Sequence, residues 1–185
     1  MKYIIFIFCF LFCYFSSSSQ SQKGKIFPSL TGETFDGKTI KIPVDTKGKS
    51  TLLGICFSKD AEKDLKGWLN PVYNLLLVKK DENDFFSAAA NYDVNFYFIP
   101  MLNKVNQILE KSSKEKIKKE TDSQFWPHLI FFEESSKTFK ETFELKDSDI
   151  PYFFVLDKEG KVIQMVSGKF TEEKLGSLED SMDVE

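Results

Sequence analysis

The side chains that could carry chemistry fall in two short stretches. Ile55-Cys-Phe-Ser-Lys-Asp-Ala-Glu-Lys-Asp64 offers a thiol, a hydroxyl and the carboxylates of Asp60 and Asp64, and Trp126-Pro-His128 offers the only imidazole of the chain. A thiol becomes a working nucleophile when a helix N-terminus or a cation lowers its pKa, and a Cys-x-x-Cys pair adds the resolving partner. No such pair exists, because two of the 3 cysteines, Cys9 and Cys13, lie in the N-terminal apolar run. Cys56 sits inside the continuous apolar run Leu52-Leu-Gly-Ile-Cys-Phe57. A free cysteine there behaves as a small buried hydrophobe of low reactivity, and a lone redox-sensing or mixed-disulfide thiol is the alternative. Ser58 has no histidine near it in sequence to act as a base. Asp60 and Asp64 fall in the first turns of an expected helix, where carboxylates complement the dipole. His128 lacks the cysteines that would make it a metal ligand, and no glycine-rich loop is present to cradle phosphate. The sequence therefore yields no catalytic residue, no metal and no cofactor.

The elements that must position these residues follow from periodicity. Ser50 to Phe57 is apolar on both faces, as a central strand covered by helices should be. Ser58 or Asp60 can cap the helix that follows, whose buried stripe is Leu65, Trp68, Leu69, Val72 and Leu76. Pro71 is expected to kink that helix or end its first section. Asn95 to Met101 is a second strand, 103–119 a helix with a lysine-rich solvated face, and His128 to Phe132 a third strand. Ser135 to Leu145 reads as a short helix with Phe139 and Phe143 inward. Tyr152–Leu156 and Lys161–Val166 form a hairpin across Asp157-Lys-Glu-Gly160, and Thr171 caps a last helix. Upstream, Asp36-Gly37 is the turn of an N-terminal hairpin ending at Ile42, and 84–92 is a short helix or irregular cover. The order predicts a mixed sheet with helices on both faces, parallel strands in the middle and an antiparallel hairpin at one side.

Composition bounds the rest. The chain has 185 residues, 42% hydrophobic and 29% charged, enough for one ordinary domain, and its 20 Phe predict an aromatic core. A net charge of −3 offers nothing to nucleic acid. All 25 basic residues are lysine; arginine, the planar bidentate clamp, is absent. Residues 1–21 read as a signal peptide: Lys2, the apolar run Tyr3 to Phe15, then Ser19-Gln-Ser21 as a small-x-small cleavage site. An uncleaved membrane anchor is the alternative, although a span needs about 20 apolar residues. Export to a periplasm or the exterior is the expectation, with no stable membrane span after cleavage. Residues 22–180 form the domain, with a flexible lead-in at Gln22 to Lys25, and 181–185 a flexible acidic tail.

Two motifs carry a resemblance. Phe27-Pro-Ser-Leu, Phe35-Asp-Gly-Lys-Thr-Ile-Lys-Ile42 and Lys47-Gly-Lys-Ser-Thr-Leu-Leu-Gly-Ile55 are similar to the opening motif of redoxins. Ile150-Pro-Tyr-Phe-Phe-Val-Leu-Asp-Lys-Glu-Gly-Lys-Val162 is similar to the motif that carries that group's cis-proline and the hairpin after it. The chain resembles the thioredoxin-like superfamily from Phe27 to Leu178, in its redoxin branch of TlpA/ResA-type exported thiol oxidoreductases and AhpC/TSA-like peroxiredoxins. The resemblance implies an α/β three-layer sandwich, a mixed central sheet with helices on both faces, and an N-terminal hairpin extension. It places Ala61 and Asp64 where the reactive cysteines belong, and leaves the peroxiredoxin arginine without a counterpart. It further implies that Ser58, Lys59, Asp60, Ala61 and Asp64, with Ile150, a cis-linked Pro151 and Tyr152, line a vestigial active-site groove. A non-catalytic exported domain binding protein or peptide there is the leading expectation. A thiol-dependent oxidoreductase or antioxidant protein working through Cys56 is the alternative, and the oligomeric state stays open.

Overall fold

The computed structural model describes residues 22–77, 92–101, 115–132 and 135–182. At its centre is a four-stranded sheet in the order β4-β3-β6-β7, formed by β3 (Ser50–Cys56), β4 (Val94–Pro100), β6 (Tyr152–Leu156) and β7 (Val162–Ser167). β3 runs parallel to β4, with Leu53 opposite Tyr97, and antiparallel to β6, with Leu53 opposite Phe154. All seven residues of β3 are buried, the outcome that its two-sided apolar sequence predicts. β6 and β7 close the expected hairpin, and Gly160 supplies a φ of +87° in its turn.

A second sheet, in the order β2-β1-β5, joins β1 (Leu30–Thr34), β2 (Thr39–Ile42) and β5 (Ile130–Phe131). Here the structure departs from the expected third central strand. Ser123–His128 is a 3-10 helix, and only two residues after it are strand, paired antiparallel with β1 rather than placed in the central sheet. Pro127 lies inside that helix and has no N–H for a ladder. Gly32 makes the new pairing possible: a Cβ on it would stand 2.3 Å from Ile130 Cγ2 and 2.8 Å from the Phe131 carbonyl oxygen. A single parallel bridge from Phe98 to Leu129 links the two sheets.

The central sheet is covered on both faces. On one face α1 (Lys59–Leu77) and α3 (Glu172–Glu179) bury Leu65, Trp68, Leu69, Val72, Leu76, Leu175 and Leu178. Thr171 Oγ1 accepts the Lys174 N–H as the expected cap of α3. On the other face α2 (Lys137–Thr142) and the N-terminal hairpin pack a ring cluster in which Phe27 lies 5.5, 5.6 and 5.6 Å from Phe139, Phe143 and Phe154. Each large side chain buried this way is worth roughly 1.5–3 kcal/mol against leaving it in water, so the aromatic composition stabilises a domain without a disulfide.

Several local expectations change. α1 does not break at Pro71 but runs on to Leu77. The acceptor left without a donor belongs to Gly67, which is exposed, so solvent can take it and the helix loses little. The lead-in is ordered: Gln22 is buried, the Gly24 N–H donates to the Val162 carbonyl at 2.8 Å, and the Val162 N–H donates to the Lys25 carbonyl at 2.9 Å. The packed body also passes its expected end, since Met182 is 5% exposed among the side chains around α3. Residues 115–120 of the expected lysine-rich helix are helical with Ile117 buried, while its remainder and nearly all of 84–92 lie outside the described residues. Among the described residues, no helix is long and apolar enough to cross a membrane.

Candidate functional site: the β3–α1 junction

The chain turns from β3 into α1 through Phe57 and Ser58. The Ser58 Oγ accepts the Ala61 N–H at 3.1 Å and the Ser58 carbonyl accepts the Glu62 N–H at 2.9 Å, so Ser58 is the helix cap. Its hydroxyl is committed to backbone and faces no base. Lys59 and Asp60 are exposed, and Asp60 pairs with Lys63 at 2.7 Å. That hydrogen bond and its charge hold the Asp60 carboxyl below the usual range. Asp64, partly buried, meets Lys169 at 3.8 Å.

Antiparallel pairing of Ile55 with Tyr152 brings the start of β6 beside this junction, as the resemblance implies. The rings of Phe57 and Tyr152 lie 6.2 Å apart, and the Tyr152 hydroxyl donates to the Asp147 carbonyl at 2.8 Å. The Pro151 carbonyl accepts the Gly168 N–H at 2.8 Å, while the Gly168 carbonyl accepts the Trp68 indole N–H at 3.1 Å. The β7–α3 turn is thereby tied both to β6 and to α1. Two further residues that sequence reasoning did not select stand at the rim. Lys140 Nζ lies 4.6 Å from the centre of the Phe57 ring and donates to Ser148 Oγ at 2.8 Å, and Lys169 faces Asp64. Gly168, at φ +89°, marks the turn that presents Lys169, whereas nothing local in the sequence points to Lys140.

The eight expected groove residues do meet at one end of the sheet, but they are not equally available. Ala61 is 0% and Tyr152 6% exposed, and Pro151 is buried. The accessible part is Lys59 and Asp60, with Ser58, Asp64 and Ile150 partly open. The cis peptide among the described residues joins Ile42 to Pro43, not Ile150 to Pro151, so the cis-proline that the resemblance implies is absent from its place.

Cys56 is 0% exposed, and burial pushes its thiol far above the ordinary range, with Glu62 adding to the effect. A thiolate is the reactive form, and burial disfavours it, as the buried-hydrophobe reading expects. His128 is no freer. Its Nδ1 lies 3.2 Å from the Phe96 carbonyl oxygen and its ring stacks on Phe96 at 3.7 Å. Desolvation lowers its pKa against the opposing pull of that hydrogen bond. Among the described residues, no group of three His, Cys, Asp or Glu is placed to hold a metal ion.

A sequence model of one family, ATP-synt_10, described as ATP10 protein, matches residues 11–183. The chain belongs to the ATP10 protein family. The match begins within the segment expected to be a signal peptide, and this ATP10 family member has a thioredoxin-like fold by comparison with solved structures. A protein described as a disulfide isomerase from Bacteroides thetaiotaomicron is 18% identical with a TM-score of 0.53, over 85% of this chain and 86% of that one. The C-terminal domain of a thiol-disulfide oxidoreductase from the same organism is 17% identical with a TM-score of 0.53, over 88% and 97%. A thiol:disulfide interchange protein, DsbE, from Chlorobium tepidum is 15% identical with a TM-score of 0.52, over 86% and 94%. At these identities the likeness is one of fold. No curated protein matches the sequence.

Proposed function

We propose that this ATP10 family member is a non-catalytic, exported thioredoxin-like domain that binds protein or peptide at the β3–α1 junction. The observation that carries the reading is what occupies the site. Ala61 is buried against α1's own stripe, Asp64 is paired to Lys169, and the nearby thiol of Cys56 is shut inside the core. A scaffold that holds a strand end, a helix N-terminus and Ile150-Pro151 together without a reactive group can still offer a contact surface. On this reading Lys59, Asp60 and Ile150 touch the partner, and Ser58, Asp64, Pro151 and Tyr152 hold the surface in shape. The family label contains the name of ATP synthase, which makes a subunit of that enzyme the first partner to test. Export rests on the apolar leader alone.

Photo-crosslinking from a reactive residue placed at Lys59 tests the reading. One protein should be captured reproducibly, and capture should fall when Asp60 or Ile150 is changed to lysine. Capture of an indiscriminate mixture, indifferent to both substitutions, overturns it. Reduction of insulin by the purified protein above the rate of a Cys56→Ala variant would instead establish the thiol-enzyme reading.

A further inference from the structure

A short strap, Lys146-Asp-Ser-Asp-Ile150, runs beside the β3–α1 junction between two fixed points. Before it, the Leu145 N–H donates to the Lys140 carbonyl at 2.9 Å, and after it the Pro151 carbonyl accepts the Gly168 N–H at 2.8 Å. Among the described residues, no backbone–backbone hydrogen bond ties the strap itself to the body. Asp147 Oδ1 accepts the Asp149 N–H at 2.8 Å, which closes the strap on itself as a turn. Side chains hold it down. The Tyr152 hydroxyl donates to the Asp147 carbonyl at 2.8 Å, Lys140 Nζ on α2 donates to Ser148 Oγ at 2.8 Å, and Ile150 packs, partly buried, on the core. Lys140 Nζ also lies 4.6 Å from the centre of the Phe57 ring. A single ammonium thus joins the strap, α2 and the turn into α1, over a ring that is 5% exposed.

We propose that the strap is a gate on the β3–α1 junction and that Lys140 is its latch. A segment without backbone bonds to its surroundings opens locally at low cost. Of the two hydrogen bonds that restrain this one, the bond from the charged donor is the stronger, and the cation–π contact on Phe57 adds to it. When both give way, the strap swings between its pivots at Leu145 and Pro151. The Phe57 ring is then uncovered and Ile150 is freed from the core, so a partner meets a wider and more apolar surface than the closed form offers. Apparent affinity is set by the fraction of molecules with the gate open. Lys140 is a positioning residue, since it acts through the strap rather than by touching the partner. The proposal rests on the reading of the junction as a polypeptide-binding surface.

Backbone NMR relaxation on the full chain reads the gate with no partner present. Order parameters of Ser148, Asp149 and Ile150 should lie near about 0.85 in this protein and fall below about 0.6 in Lys140→Met and in Ser148→Ala. They should recover in Lys140→Arg, which restores the donor, and the urea transition should stay cooperative in all three variants. Photo-crosslinking from Lys59 should then capture its protein about threefold more or better in the two loosened variants, where damage to the surface would lower capture. A strap already loose in this protein, or equally ordered in Lys140→Met and Ser148→Ala, overturns the latch. Loosening that leaves capture unchanged or lowers it overturns the gate. These results leave the junction reading standing; that reading fails only if capture is indiscriminate in every variant, and the gate then fails with it.

Discussion

The state of the Cys56 thiol decides between a contact surface and an enzyme, and it can be measured. With Cys9 and Cys13 changed to serine, Cys56 is the sole reporter in the full chain. It is 0% exposed at the C-terminal end of the fully buried β3, among the side chains packed under α1, so a reagent reaches it only when α1 and that end of the strand come apart. A domain stable by about 5 kcal/mol is open in roughly one molecule in 5,000, and labelling with a disulfide reagent at pH 8 should slow by about that factor relative to the urea-unfolded chain. The rate should rise steeply with urea below the unfolding transition, because global opening is the route. Titration gives an independent sign. The folded thiol has a raised pKa, so the stability it contributes is complete below the unfolded value near 8.5 and is lost as pH rises above it, at about 1.4 kcal/mol per pH unit. If Cys56→Ala is about 1 kcal/mol less stable at pH 8, the urea midpoint of this protein should therefore fall to meet that of the variant just above about pH 9 and drop below it by about pH 10. Labelling within seconds in native buffer, or a rate flat in urea, refutes the burial argument and revives the thiol enzyme.

Further outcomes follow from packing. Gly32→Ala drives a methyl into Ile130 and the Phe131 carbonyl, and should cost about 1–3 kcal/mol in thermal or urea unfolding by prising β5 from β1. Gly54→Ala meets Phe153, Phe98 and Leu65 at 2.7 to 3.1 Å and should cost a similar amount, about 1–3 kcal/mol, because α1 must lift from the sheet. Trp68→Phe leaves the Gly168 carbonyl without its indole donor and should lose about 1–3 kcal/mol, with faster exchange of the Gly168 amide. His128 has a lowered pKa, so the stability it contributes is present above its unfolded value near 6.5 and is lost as pH falls below it. His128→Phe should flatten the stability profile between pH 7 and 5, read by urea titration.

Much of this fold was legible. β3 announced itself by an unbroken apolar run, α1 by its 65/68/69/72/76 stripe, and the two hairpins by Asp36-Gly37 and Gly160. The same stripe, extended back one turn, already put Ala61 on the buried side of α1, which the motif comparison obscured by treating it as groove surface. Met182 likewise continues the 175/178 spacing of α3. What the sequence did not disclose is tertiary. An apolar run such as Leu129 to Phe132 is equally suited to either sheet, and the choice was made by the missing Cβ of a glycine far away in the chain. Lys140 and Lys169 reach the junction through α2 and a turn, and no local pattern could bring them there. The stretch from Ile150 to Val162 keeps the strand and hairpin of the motif it resembles but not its cis peptide, which lies at Ile42-Pro43.

The pairing of Leu53 with Phe154 sets the order in which the molecule can be made. The central partner of β3 is β6, about a hundred residues further along the chain, and closing so long a loop comes late and slowly in folding. Until β6 has been synthesised, β3 can have α1 and the N-terminal hairpin on its faces but keeps one hydrogen-bonding edge unpaired, so the sheet is completed only by a late segment of the chain.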